Sequence, residues 1–148
     1  MSIWVDADAC PNSIKDTLFR AAIRAEIPLT LVANHAIKVT KSPWIRMIQV
    51  QAGYDMADDY IVNNIADGDL IVTADIALAA DLIAQGGRVI SYRGESYNEQ
   101  NIRQKLAMRD FMTTLRASGE VSGGASPMGA KEKQAFANAL DRYIAQQS

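Results

Sequence analysis

The aspartates at positions 6, 8, 55, 58, 59 and 75 are the side chains of this sequence best placed to do chemistry together. The apolar run Ile3-Trp4-Val5 reads as a buried strand, yet it ends on Asp6 and Asp8 with Pro11 just beyond. A buried strand has no use for acid, and a helix cap would need only one. Asp75 follows a second apolar run that closes at Thr73, and Asp55, Asp58 and Asp59 fall in the first turn of a helix that follows a strand. Carboxylates gathered in this way raise one another's pKa and repel, whereas a divalent cation neutralises them. The chain has one Cys and one His, so a zinc site built from those residues is excluded and any metal must be held by oxygen. Hard oxygen ligands point to Mg²⁺ or Mn²⁺. Such an ion, or a pair about 4 Å apart, suits the hydrolysis of a phosphodiester.

Each of these residues also has a plainer use. Asp55 and Asp75 can serve as helix caps, and Asp58 and Asp59 as first-turn acids favoured by the helix dipole. Thr73 can bind phosphate or merely close its strand. Cys10 beside Pro11 reads as a small apolar group, His35 as a surface loop residue and Trp44 as a packing residue. Asp67 and Asp69 precede their strand and read as turn residues at the opposite end of the sheet.

The elements that must position the acids follow from periodicity and punctuation. Strands are expected at about 2–6, 29–33, 47–50, 69–73 and 88–91, and helices over about 13–25, 56–66, 76–85 and 99–117. Asn12 and Asp75 are candidate N-caps, Pro28 stops the first helix, and Gly86-Gly87 stop the third. Strands alternating with helices imply a mainly parallel sheet of about five strands covered on both faces, a three-layer α/β/α sandwich. In a 3-2-1-4-5 order the first and fourth strands are neighbours about 5 Å apart, so Asp6 and Asp75 meet at their carboxyl ends, where open sheets of this kind bind ligands.

Residues 118–130 are rich in Gly and Ser and read as a loop within one domain spanning residues 1–148, because the segment beyond is too short to bury a core alone. Composition is that of an ordinary globular protein, 49% apolar and 22% charged. No apolar run approaches the roughly 18 residues that span a bilayer, and no basic leader precedes one, so a cytoplasmic protein without a membrane is expected. Residues 1–92 carry seven Lys/Arg against eleven Asp/Glu, and residues 93–148 eight against six. Acid sits early and base late. Lys105, Arg109 and Arg116 share a helix face, and Lys38, Lys41 and Lys131 add further candidates for contact with phosphate.

IWVDADACP at 3–11, GYDMADDYIV at 53–62, DLIVTADIALAA at 69–80, YRGESYNEQNI at 92–102 and the closing GG-x-x-P and F-x-x-x-L-D-R resemble the bacterial YaiI/YqxD family. That family is similar in turn to the PIN-like nucleases. The resemblance implies an acidic, Mg²⁺-dependent site cutting RNA, less readily DNA, with Asp6, one of Asp55, Asp58 or Asp59, and Asp75 at its centre. Position 77, where many PIN-like nucleases place another acid, is Ala, and Asp81 lies a full turn further on; Asp8 would have to substitute. Two other readings remain open. A haloacid-dehalogenase-like phosphatase would use Asp6 as nucleophile. A non-catalytic module would bind RNA or a protein on the same scaffold, and a homodimer is compatible with either.

Overall fold

The computed structural model describes residues 1–53, 56–119 and 128–147. The chain runs β1 (Ile3–Asp6), α1 (Asn12–Ala25), β2 (Leu29–Ala33), β3 (Ile45–Gln49), α2 (Met56–Asn64), β4 (Leu70–Val72), α3 (Ile76–Ala84), β5 (Arg88–Ile90), β6 (Ser96–Tyr97), α4 (Glu99–Ala117) and α5 (Ala130–Gln147). The sheet order is β3-β2-β1-β4-β5-β6. The first five strands are parallel, and β6 adds an antiparallel edge strand to the five expected. No described helix is long and apolar enough to cross a membrane.

Alternation along the strands builds the three layers. Ile3, Val5, Leu29, Leu31, Leu70, Val72 and Ile90 face one way, into a core closed by Ile14 and Leu18 of α1 and Phe136 and Leu140 of α5. Trp4, Val32, Ile71 and Val89 face the other way, against Ile61 of α2, Leu78 and Leu82 of α3 and Ile102 of α4. A period of two on the strands and near 3.6 on the helices is what lets one sheet bury both faces. The first helix starts at Asn12, with Pro11 as its N-cap residue and no side-chain cap, so the Asn12 cap does not form. It ends on Glu26 in the left-handed conformation, φ 54°.

Asp69 corrects the simple turn assignment. Its side chain is buried and accepts from Ser2 N at 2.9 Å, Trp4 Nε1 at 3.0 Å and Ala66 N at 2.9 Å. One carboxylate therefore fastens the start of β1 to the start of β4. An Asn at this position places an N–H₂ against one of these donors, and a buried donor without a partner costs about 1–3 kcal/mol. Asp69→Asn is expected to lose about 2 kcal/mol in urea unfolding; an unchanged midpoint would contradict the role given to this carboxylate.

Candidate active site

β1 and β4 are neighbours, and the chain leaves them toward opposite faces of the sheet: α1 packs on one face, α2 and α3 on the other. Their carboxyl ends thus form the crevice where strand order reverses. Asp6 closes β1 there. Thr73, fully buried just after β4, donates its hydroxyl to Asp6 Oδ2 at 3.0 Å, and Thr73 Oγ1 itself accepts from Asp75 N at 3.0 Å. Asp75 in turn caps α3, its Oδ1 accepting from Leu78 N at 3.1 Å. Asp6, Thr73 and Asp75 are therefore one hydrogen-bonded chain across two strand ends.

Burial raises the pKa of Asp6, and the charges of Asp8 and Asp75 raise it further, against the hydrogen bonds from Thr73 and the Asp8 backbone that lower it. The Tyr92 hydroxyl donates to the main-chain oxygen of Asp6, tying the end of β1 to the chain beyond β5. Burial, then the charge of Asp6, pushes the Tyr92 pKa well up, so the phenol remains a donor. Cys10, also buried, has its thiol pushed up to about 12 by desolvation, in keeping with a packing role rather than a nucleophilic one.

Asp8 is bound to the carboxyl end of the neighbouring strand β2. Its Oδ1 accepts from Asn34 N at 2.8 Å and lies 3.3 Å from His35 Nδ1, so it anchors the chain leaving β2. Asp58 and Asp59 in the first turn of α2, Asp75, Asp81 and Arg109 of α4 line an adjoining cleft of about 150 Å³. Asp81 is the residue sequence reasoning set aside. It lies one helical turn beyond Ala77, and both line the cleft, so the i, i+4 relation was the signal that could have found it. Asp55 lies outside the described residues. Among those described, no three carboxylates, His or Cys stand close enough to enclose a metal ion.

The basic candidates disperse. Lys105 is held by Glu95 at 2.6 Å, which removes it as a ready phosphate contact. Arg109 reaches the acidic cleft, with Nη1 also 3.3 Å from Asp110, while Arg116 is exposed in the last turn of α4. Lys38 and Lys41 are exposed on the β2–β3 connection, and Lys41 precedes the bridge of Ser42 to Ile45 at the start of β3, the end of the sheet away from Asp6. Lys131 is exposed in the first turn of α5.

The donors at the crevice suit a hard cation: carboxylate and hydroxyl oxygens only, one carboxylate half-buried with its charged form disfavoured. Mg²⁺ is commonly held by one or two carboxylates and completes its shell with water, which two acids on adjacent strand ends can match. The same geometry predicts a stability effect without metal. Because the folded-state pKa of Asp6 is raised, its ionisation costs stability as pH rises through that pKa, and below the ordinary carboxylate range the cost is absent. Asp6→Asn, which can still accept from Thr73, is expected to melt higher than wild type in EDTA at neutral pH, with the gain vanishing in acid. Equal melting temperatures at neutral pH would contradict it.

A family model described as "Uncharacterized BCR, YaiI/YqxD family" matches residues 4–146. The chain is 59% identical to a UPF0178 protein of Saccharophagus degradans, over 97% of this chain and 95% of that one. It is 56% identical to UPF0178 proteins of Shewanella piezotolerans, over 97% and 95%, and of Halorhodospira halophila, over 98% and 96%. No solved structure matches significantly.

Proposed function

The chain belongs to the YaiI/YqxD family, and from the site it carries we propose that it is a metal-dependent nuclease hydrolysing phosphodiester bonds of RNA. The observation that carries this reading is the Asp6–Thr73–Asp75 chain at the carboxyl ends of two adjacent parallel strands. Asp6 and Asp75 would hold Mg²⁺ or Mn²⁺. The chemistry such an ion supplies when bound is neutralisation of phosphoryl charge and acidification of water at neutral pH.

The protein's own groups do the rest. Thr73 holds the Asp6 carboxylate and the Asp75 main chain, and Leu78 N holds the Asp75 carboxylate, so the two acids are set in place before charge develops. Tyr92 and Asp8 hold the two sides of the β1 exit. Asp58 and Asp59 orient water from the α2 side, and Arg109, already in their cleft, positions a phosphate by charge-assisted hydrogen bonds. The α/β/α fold is compatible with a PIN-like nuclease, as the motifs led us to expect.

The absence of a closed three-acid cage among the described residues favours a second reading, a module that binds RNA without cutting it. The phosphatase reading is weaker on the structure: the acid pair it would need includes Asp69, which is buried at the other end of β4 and already holds three donors. One assay separates the three. Labelled single-stranded RNA and DNA, and an aryl phosphate monoester, are incubated with Mg²⁺, Mn²⁺ or EDTA. Metal-dependent RNA cleavage is the expected result. RNA binding without cleavage would favour the module, and turnover of the monoester alone would favour the phosphatase.

A further inference from the structure

A second cavity lies at the far end of the sheet and shares no residue with the acidic cleft. It encloses about 470 Å³ beside the starts of β4 and β5, between the last turns of α5 and the β6–α4 junction. β6 is only two residues long and pairs with Val89 and Ile90, so it leaves the entrance to β5 uncovered. That short edge strand opens the cavity. Its size falls within the range of small-molecule pockets, which also combine apolar walls with a few placed polar groups.

Three kinds of chemistry meet there. Ile83 and the half-buried Tyr97 supply apolar and aromatic wall. Arg88 and Arg142 supply positive charge. Arg88 is held in place: its Nη1 donates to Gln146 Oε1 at 2.7 Å and its guanidinium lies 5.7 Å from the centroid of the Tyr143 ring. Tyr143 is itself fixed by donating to the Gly68 main-chain oxygen at 2.8 Å. The Arg142 side chain is exposed and makes no hydrogen bond or ion pair among the described residues. Glu99 is the third kind, a single carboxylate at the same cavity. The α4 N-terminus is not the attraction, because Asn98 already accepts from Gln100 N and Asn101 N.

We propose that this cavity binds a nucleoside monophosphate: the base against the aromatic and apolar wall, the phosphate on Arg142 and Arg88, and the ribose hydroxyls on Glu99. A simple inorganic anion would meet the arginines but also the repulsion of Glu99, and would leave the apolar wall unfilled. A sugar diol turns that carboxylate into an acceptor, the use acids find beside ribose in dinucleotide sites. Arginine suits the phosphate because its planar donors match the oxygens in pairs.

The test is calorimetric titration of AMP and UMP into the Asp6→Asn protein in EDTA, which removes metal-assisted binding at the acidic crevice and so keeps this claim separate from the nuclease reading. Adenosine and inorganic phosphate are the comparison ligands. Saturable binding of at least one nucleotide is expected, at least tenfold tighter than adenosine and than phosphate. Arg142→Gln, an exposed change that leaves the fold intact by circular dichroism, is expected to weaken it at least tenfold, and Glu99→Gln is expected to narrow the gap between the nucleotide and phosphate. Binding of neither nucleotide below about 1 mM, phosphate binding as tightly as AMP, or undiminished binding by Arg142→Gln would each overturn the proposal.

Discussion

Asp6→Asn and Asp75→Asn should each lower metal-dependent RNA cleavage by about a thousandfold or more, since a lost ionic ligand forfeits several kcal/mol of charge stabilisation and about 4 kcal/mol corresponds to that factor. Both substitutions preserve the local structure. Asn at 6 still accepts from Thr73, and Asn at 75 remains a good N-cap for Leu78 N. Thr73→Val is the informative companion. It removes the shared hydroxyl but leaves both carboxylates, so a partial loss, smaller than either Asp variant, is expected. Single-turnover rates at saturating Mn²⁺ measure all three. Wild-type rates from either Asn variant, with the fold intact, would remove these acids from the chemistry.

Gly94→Ala should be among the most destabilising single changes in the chain, although it lies in a surface turn. Gly94 has φ +86° and closes the turn that leads into β6, its N–H donating to Ser91 O at 3.1 Å. A Cβ there would stand 2.5 Å from the carbonyl carbon and oxygen of Ala135 and 2.8 Å from Phe136 N, all backbone of α5. The helix must move, and Phe136, fully buried in the core it shares with α1, must move with it. Left-handed strain of about 1–2 kcal/mol and overpacking of about 1–3 kcal/mol predict a loss near 4 kcal/mol. Gly68→Ala is the control, with φ also +86° but nothing within 4 Å, and should cost only the strain. Equal losses in denaturant unfolding would show that the approach of α5 to this turn is not what requires glycine.

The parallel sheet and its order were legible because each strand is an apolar run with its own punctuation, and the β1–β4 pairing followed from one assumed topology that the structure bears out. β6 was not legible. Two residues, Ser96 and Tyr97, are too few to show alternation, and their pairing depends on the turn that Gly94 permits. Asp69 was read from position alone as a turn residue, because the donors that bury it include Ser2 and Trp4, more than 60 residues away in sequence. The helical period placed Lys105 and Arg109 on one face but said nothing of their neighbours: Glu95 takes the first and the acidic cleft receives the second. Asp6 and Asp75 were found because a strand end and a helix cap are local features. Asp81 was passed over because the cleft it joins is built from three separate helices.

The most direct measurement of the central claim is the anomalous difference density of a crystal soaked in Mn²⁺. A peak between the carboxylates of Asp6 and Asp75, lost in Asp6→Asn crystals soaked alike, is the result expected of a metal-dependent nuclease built on these two strand ends. A fully soaked crystal with no peak at this crevice, or with Mn²⁺ bound only elsewhere, would contradict it.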